Sequence, residues 1–134
     1  MIGKTRQAEK NSCPCGSGVG YNACCSRFIT GDAVPETAEK LMRSRYSAFV
    51  VRDESYLLAT WHPDTRPGRV RLDEKQRWLG LSIRAAEAGG PDARAGVVEF
   101  VARFKIDGNG HRLHEISRFE KINGRWYYLD GQHL

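Results

Sequence analysis

The chain has 134 residues and carries a formal net charge of +5, with 21 Lys and Arg against 16 Asp and Glu. No long uncharged apolar run occurs, which excludes a transmembrane helix. The first twelve residues have no apolar core of the kind a secretory signal peptide needs. The sequence therefore predicts a cytoplasmic protein, in which thiols stay reduced and cysteines serve metals or chemistry.

The first feature along the chain is a cysteine-rich loop. It holds all four cysteines of the protein, Cys13, Cys15, Cys24 and Cys25, among several glycines. So short and glycine-rich a stretch cannot bury enough surface to order itself. One Zn²⁺ takes four thiolates tetrahedrally, and two pairs joined by a flexible loop can surround it. Disulfides or buried free thiols are the alternatives, and the missing export signal disfavours disulfides.

Two helices are predicted next. Thr37 is the predicted N-cap of the first, and the apolar residues that follow it up to position 50 recur at helical spacing. Arg45 interrupts this apolar stripe. Asp53 is the predicted N-cap of a second, shorter helix that runs to Trp61, where the following His-Pro pair stops it.

A loop with three arginines follows, and after it Asp73 and Gln76 resemble the capping box of a third short helix that ends near Trp78. After this point the apolar residues no longer recur at helical spacing but at every second position. This change predicts that the rest of the chain forms strands.

Three to four antiparallel strands are predicted in this second half. Residues 79–83 alternate, residues 86–96 form a long turn, and residues 98–106 give the clearest strand. Residues 107–110 are a turn before a strand over 112–122. An Asn-Gly hairpin turn leads to the last strand over 125–130. Helices followed by strands predict an α+β fold with the helices on one face of a curved sheet, so we divide the chain into a cysteine module, 1–31, and a body, 32–134.

The cysteine loop resembles a known motif. Residues 13–18 read CPCGSG, with Tyr21 and then Cys24-Cys25 after a spacer. This pattern is similar to the SEC-C motif, known from the C-terminus of the translocase ATPase SecA, in which the last ligand is His or Cys. The resemblance implies that Cys13, Cys15, Cys24 and Cys25 bind zinc.

The remainder of the chain resembles the YchJ-like (UPF0225) family. The similar segments are MRSRYSAF at 42–49, TWHP at 60–63, VEF at 98–100 and LHE at 113–115. Members often carry a histidine shortly after the cysteine pair, where this chain has Ile29. The resemblance implies an NTF2-like (cystatin-like) cone of helices on a curved antiparallel sheet behind the SEC-C module, and it carries over no activity.

An NTF2-like cone can enclose a ligand pocket, so we selected polar and aromatic residues that such a pocket would gather. The candidates are Arg45, Tyr46, Trp61, His62, Glu99, His114 and Arg118. A catalytic interpretation pairs one of the two histidines with Glu99 or Glu115 beside an arginine. A structural interpretation makes Arg45 and Glu99 an ion pair, and the three tryptophans core aromatics. The structural interpretation is favoured, and with it a protein that is not an enzyme.

The cysteine module and the basic residues beside it indicate which partners to expect. In SecA the motif contacts the chaperone SecB and is associated with ribosomes, so the resemblance implies a chaperone or ribosome contact. Lys4, Arg6, Lys10 and Arg27 flank the cysteines and suit an acidic partner. No recognition helix or stacking pattern supports nucleic acid as a direct, specific target. A homodimer is allowed, although no residue pattern demands one.

Overall fold

A computed structural model describes residues 11–134 of the chain. Lys4, Arg6 and Lys10 of the predicted basic patch lie outside these described residues. The elements, in chain order, are a 3₁₀ turn Tyr21–Ala23, α1 Cys25–Ile29, α2 Ala38–Val51, α3 Glu54–Ala59, β1 Gln76–Ala88, β2 Ala95–Ile106, β3 Asn109–Ile122 and β4 Arg125–His133. No helix between residues 11 and 134 has both the length and the apolar character needed to cross a bilayer.

The two predicted helix caps are confirmed. The side chain of Thr37 accepts a hydrogen bond from the backbone N–H of Lys40, and that of Asp53 accepts one from Tyr56. Each bond satisfies a backbone donor that the first helical turn leaves free. Arg52 caps the end of α2 in a left-handed conformation with φ 60°, and α3 begins two residues later.

The four strands form one sheet in the order β1-β2-β3-β4, and every neighbouring pair is antiparallel. Its last two turns are tight. Asn123 and Gly124 both have positive φ angles, as a two-residue hairpin turn requires. Asp107 and Gly108 also both have positive φ angles, and β3 begins at Asn109, three residues before the predicted start at residue 112.

The predicted third helix is wrong. Asp73 forms a local turn instead, in which its carboxylate accepts the backbone N–H of Lys75 at 2.8 Å, and β1 begins at Gln76. Trp78 then packs against Phe104 of β2 and Tyr46 of α2. Strand pairing and aromatic packing thus outweigh the local capping pattern, since the residues that follow it do not form an apolar stripe at helical spacing.

The second predicted helix is shorter than expected, since α3 ends at Ala59 rather than Trp61. The chain from Thr60 to His62 pairs with β4 instead. Tyr128 N donates to Thr60 O at 2.9 Å, and His62 N donates to Tyr128 O at 2.7 Å. This segment pairs with the edge strand β4 at Tyr128 and satisfies backbone groups that this position of the edge would otherwise expose.

The core lies between α2 and the concave face of the sheet. Leu41, Met42 and Tyr46 of α2 belong to one buried cluster with side chains of β2, β3 and β4, among them Phe119 and Trp126. The start of α2 approaches the first hairpin closely, because Ala38 N donates to Gly89 O at 2.9 Å. The buried thiols Cys13, Cys15 and Cys25 belong to the same cluster.

Candidate metal centre and interior polar residues

The four cysteines come together as the sequence predicts. Their Sγ atoms all lie within 4.8 Å of one another. Cys15 Sγ is 3.7 Å from Cys24 Sγ, and Cys24 Sγ is 4.0 Å from Cys25 Sγ. A metal bound by four thiolates at about 2.3 Å places neighbouring sulfurs about 3.8 Å apart. The spacing of the sulfurs therefore fits a tetrahedral metal ion.

The loop between the cysteine pairs is closed by its own backbone. Cys13 N donates to Val19 O at 2.9 Å, and Gly16 N donates to Cys13 O at 3.1 Å. Gly16 and Gly18 both have φ near 82°, a conformation that side-chain-bearing residues rarely adopt. The glycines of the CPCGSG segment thus turn the chain back so that both pairs of thiols face one point.

Residues of α2 surround the cysteine cluster. Arg43 Nη1 donates to the carbonyl oxygen of Cys15 at 2.7 Å and lies 3.9 Å from its sulfur. Ser47 Oγ is 3.5 Å from Cys13 Sγ. Sequence reasoning missed both residues, although they lie four positions apart and so share one face of the helix.

Two further groups contact the cluster from the module itself. Ser17 Oγ is 3.2 Å from Cys24 Sγ and also accepts the backbone N–H of Val19. Arg27 Nε donates to Cys24 O at 3.2 Å. Hydrogen bonds of this kind orient the ligands of a metal and hold their charge.

The thiols influence one another's ionisation. Hydrogen bonds from the Cys13 and Cys25 thiols lower the pKa of Cys15. Hydrogen bonding with Cys13 and Cys15 raises the pKa of Cys25, and burial raises the pKa of Cys24. Ionisation of Cys15 is therefore favoured, while ionisation of Cys24 and Cys25 is disfavoured. All four thiolates can coexist only when a cation balances them, which a bound metal ion does.

Comparison with known proteins agrees with this architecture. The family model described as YchJ, middle NTF2-like domain matches residues 37–131. A UPF0225 protein from Chromobacterium violaceum is 50% identical over 132 residues, which cover 96% of this chain and 97% of that protein. The chain belongs to the UPF0225 family. Its α+β fold is that of an NTF2-like domain behind an N-terminal cysteine cluster.

Solved structures resemble this UPF0225 chain over most of its length. A SEC-C motif containing protein from Rhodopseudomonas palustris is 34% identical, with a TM-score of 0.80 over 91% of this chain and 98% of that one. A sec-c motif containing protein from Psychrobacter arcticus is 31% identical, with a TM-score of 0.74 over 88% of this chain and 80% of that one. Both neighbours are described by the motif that holds the four cysteines here.

The predicted pocket residues of the UPF0225 chain do not converge on one point. His114 Nε2 and Glu99 Oε2 are 2.6 Å apart, half-buried on neighbouring strands. Arg118 forms an exposed ion pair with Asp130. Tyr46 packs edge-on against Trp78, and His62 Nε2 is 3.4 Å from Glu120 Oε1.

Arg45 and Trp61 form a second pair of predicted pocket residues that are in contact. The Arg45 guanidinium is 3% exposed and lies 5.0 Å from the Trp61 ring. Its Nη1 donates to Leu57 O at 2.8 Å and to Thr60 Oγ1 at 2.7 Å. The predicted ion pair with Glu99 is wrong, because Glu99 binds His114 on a different part of the sheet. Burial lowers the pKa of Arg45 to about 10, so it keeps its charge at neutral pH.

The tryptophans differ in burial. Trp126 is a core residue, 3% exposed, and its indole N–H donates to Glu36 O at 3.1 Å. Trp61 and Trp78 are half-buried and pack against other aromatic rings. The prediction of core aromatics is therefore confirmed most directly for Trp126.

Glu115, which the sequence analysis considered only as an acid partner, is a buried carboxylate on the concave face of the sheet. Its Oε2 accepts the hydroxyl of Ser117 at 2.5 Å, and its Oε1 is 2.9 Å from His133 Nε2. A side chain at Gly131 would collide with this carboxylate. The glycine of β4 thus makes room for Glu115.

Proposed function

We propose that the four cysteines of this UPF0225 protein hold one zinc ion and that the resulting module binds an acidic segment of a protein partner. The convergence of four thiols, with all sulfurs within 4.8 Å of one another, supports the metal assignment. Zinc suits this donor set because it takes four thiolates tetrahedrally and undergoes no redox chemistry. With all four positions filled by protein, bound zinc supplies a structural cross-link.

A groove of about 220 Å³ runs beside the cysteine cluster and offers the contact surface. Its apolar part comes from Val19, Ala23 and Phe28, and its far wall is the first half of α2. Val19 is 46% exposed, so its side chain is accessible to a partner. Such a groove takes an apolar side chain of a partner segment.

The charges around this groove favour an acidic partner. Arg27, Lys40 and Arg43 line it together with one acid, Glu39. Glu39 is engaged by Arg43 at 3.1 Å, which leaves Arg27 and Lys40 as exposed cations on opposite sides. Complementary charge of this kind steers encounter and selects partners. The resemblance of the module to the SEC-C motif supports a chaperone or a ribosomal protein as that partner.

Binding to purified SecB and to purified 70S ribosomes tests this function. We expect at least one of them to bind the zinc-loaded wild-type protein with an affinity that falls as salt rises. Lys40→Glu should weaken this binding about tenfold or more. Lys105→Glu, an equal change of charge at an exposed position of β2, is the matched control and should have little effect.

Two results would overturn the proposal. One is equal binding by wild type and Cys24→Ser, since that variant removes a metal ligand without touching Lys40. The other is equal loss of affinity in Lys40→Glu and Lys105→Glu, because it would mean that only the overall charge of the protein matters. Capture from a bacterial lysate with the same variants extends the test to partners other than these two.

A further inference from the structure

A second cavity lies on the other side of α1, at the seam between the cysteine module and the sheet. We call it the seam cavity. It measures about 210 Å³ and is enclosed by residues 28–35, α3 and the start of β4. Its apolar lining includes Phe28, Leu41 and Trp126, all of which are buried. Among the described residues that line it, only Phe28 also lines the groove proposed above.

The size of the seam cavity limits its occupant. Pockets for drug-sized ligands and cofactors measure about 300–1,000 Å³, so this one accepts only a small molecule. Its apolar walls favour a short hydrocarbon or one aromatic ring. The polar side chains among the lining residues are those of Thr30, Tyr56, Thr60, Tyr127 and Arg125.

The charged residues that line the seam cavity indicate the charge of its ligand. No Asp or Glu belongs to the described residues that line the cavity, whereas Arg125 does. Within residues 11–134 the exposed guanidinium of Arg125 forms no hydrogen bond or ion pair. Thr60, on the opposite wall, accepts a hydrogen bond from Arg45. Arg45 is itself buried, and the charge of the buried Glu115 carboxylate acts on it, which leaves Arg125 as the cation that lines the cavity.

We infer that the seam cavity binds a small organic anion, a monocarboxylate whose apolar body is one aromatic ring or a short alkyl chain. The apolar body lies against Phe28, Leu41 and Trp126. The carboxylate lies toward Arg125, where an unpaired guanidinium offers two parallel donors.

Titration of the ¹⁵N-labelled protein with benzoate and hexanoate tests this inference. Either acid should shift the amide resonances of residues 28–35 and 125–127 in a saturable way, and comparison of the two shows whether a ring or a chain fits better. Benzyl alcohol and 1-hexanol are neutral matches of the same shape. They should bind at least fivefold more weakly than the acids.

Two variants assign the site. Arg125→Gln should weaken the binding of benzoate or hexanoate about fivefold or more and leave the alcohols unchanged. Ala59→Phe, at an exposed position that lines the cavity, should abolish the binding of both. Arg112→Gln, an exposed arginine of β3, is the matched control and should bind like wild type.

The inference is overturned if neither acid gives a saturable shift. It is also overturned if the alcohols bind as tightly as the acids, or if Arg125→Gln and wild type bind the acids equally. Binding that survives Ala59→Phe would place the ligand elsewhere and would overturn the assignment to this cavity. None of these results bears on the zinc module, whose test uses different residues and partners.

Discussion

Arg43 donates a hydrogen bond from Nη1 to the carbonyl oxygen of Cys15 at 2.7 Å, and the same nitrogen lies 3.9 Å from the Cys15 sulfur. Arg43 belongs to the segment that matches the NTF2-like family model, whereas Cys15 precedes it. The bond therefore connects the cysteine cluster to a helix of the NTF2-like domain. Glu39 holds the guanidinium from the preceding turn of that helix.

Arg43→Gln should lower zinc affinity about tenfold or more, because groups that orient and balance metal ligands contribute about 10–100-fold to affinity. Arg43→Lys should recover part of the loss, since it keeps the charge without the forked geometry. Competition with a chromophoric zinc chelator measures the affinity. Arg112→Gln is the matched control, and an unchanged affinity in Arg43→Gln would show that Arg43 is a bystander.

Removal of zinc should loosen the module and also lower the stability of the NTF2-like domain. Cys13, Cys15 and Cys25 lie in the same buried cluster as Leu41 and Phe119, so disorder of the module exposes one side of α2. A ligand that binds only the folded state stabilises that state. We expect the melting temperature to fall by several degrees after chelation, at about 2–8 °C per kcal/mol.

Amide NMR separates the two parts in that experiment. Chelation should collapse the resonances of residues 11–30, while those of β2 and β3 stay dispersed. Restored zinc should reverse both changes. An identical melting temperature with and without zinc would contradict the coupling, and global unfolding on chelation would mean that the NTF2-like domain cannot fold without the metal.

Arg45→Met should destabilise the protein by about 2 kcal/mol, although it removes a buried charge. The substitution leaves Leu57 O without its best donor and removes the guanidinium from between the rings of Trp61 and Tyr128. An unsatisfied buried carbonyl costs about 1–3 kcal/mol, and the relief of desolvation offsets part of the total. Urea unfolding measures the change, and a variant as stable as wild type would show that Arg45 is not needed for packing.

Gly96→Ala should destabilise the protein by about 2 kcal/mol or more, since overpacking typically costs about 1–3 kcal/mol. A Cβ atom at this position would lie 2.6 Å from the Cα atom of Gly89 and 3.1 Å from the Cβ atom of Ala38. Relief of this clash would require the backbone at Gly89 and the start of α2 at Ala38 to move together. Gly110→Ala is the control, because nothing lies within 4 Å of a Cβ atom there. Equal stability of the two variants would contradict the close approach.

The local features of this chain could be read from its sequence. The caps at Thr37 and Asp53 and the turn at Asn123-Gly124 depend on a few neighbouring residues, and all three are confirmed. The four cysteines were assigned from their spacing and from resemblance to a motif. Each of these features has a physical cause that lies within a short stretch of chain.

The features that depend on residues far apart in the chain could not be predicted from the sequence. Asp73 and Gln76 fit a helix cap, but pairing with β2 makes the following residues a strand. Arg43 contacts Cys15 across 28 positions, and nothing near Arg43 in the sequence indicates it. The opposite charges of Arg45 and Glu99 suggest an ion pair, but charge alone does not indicate which faces of α2 and the sheet meet.

Native mass spectrometry of the purified protein tests the central claim most directly. We predict one zinc ion per chain and complete protection of all four thiols from alkylation, both of which are lost in Cys24→Ser. Cys24 is the most exposed of the four ligands, so its replacement disturbs packing least. A protein that is folded over residues 11–31, carries no metal and reacts at all four cysteines would contradict the account.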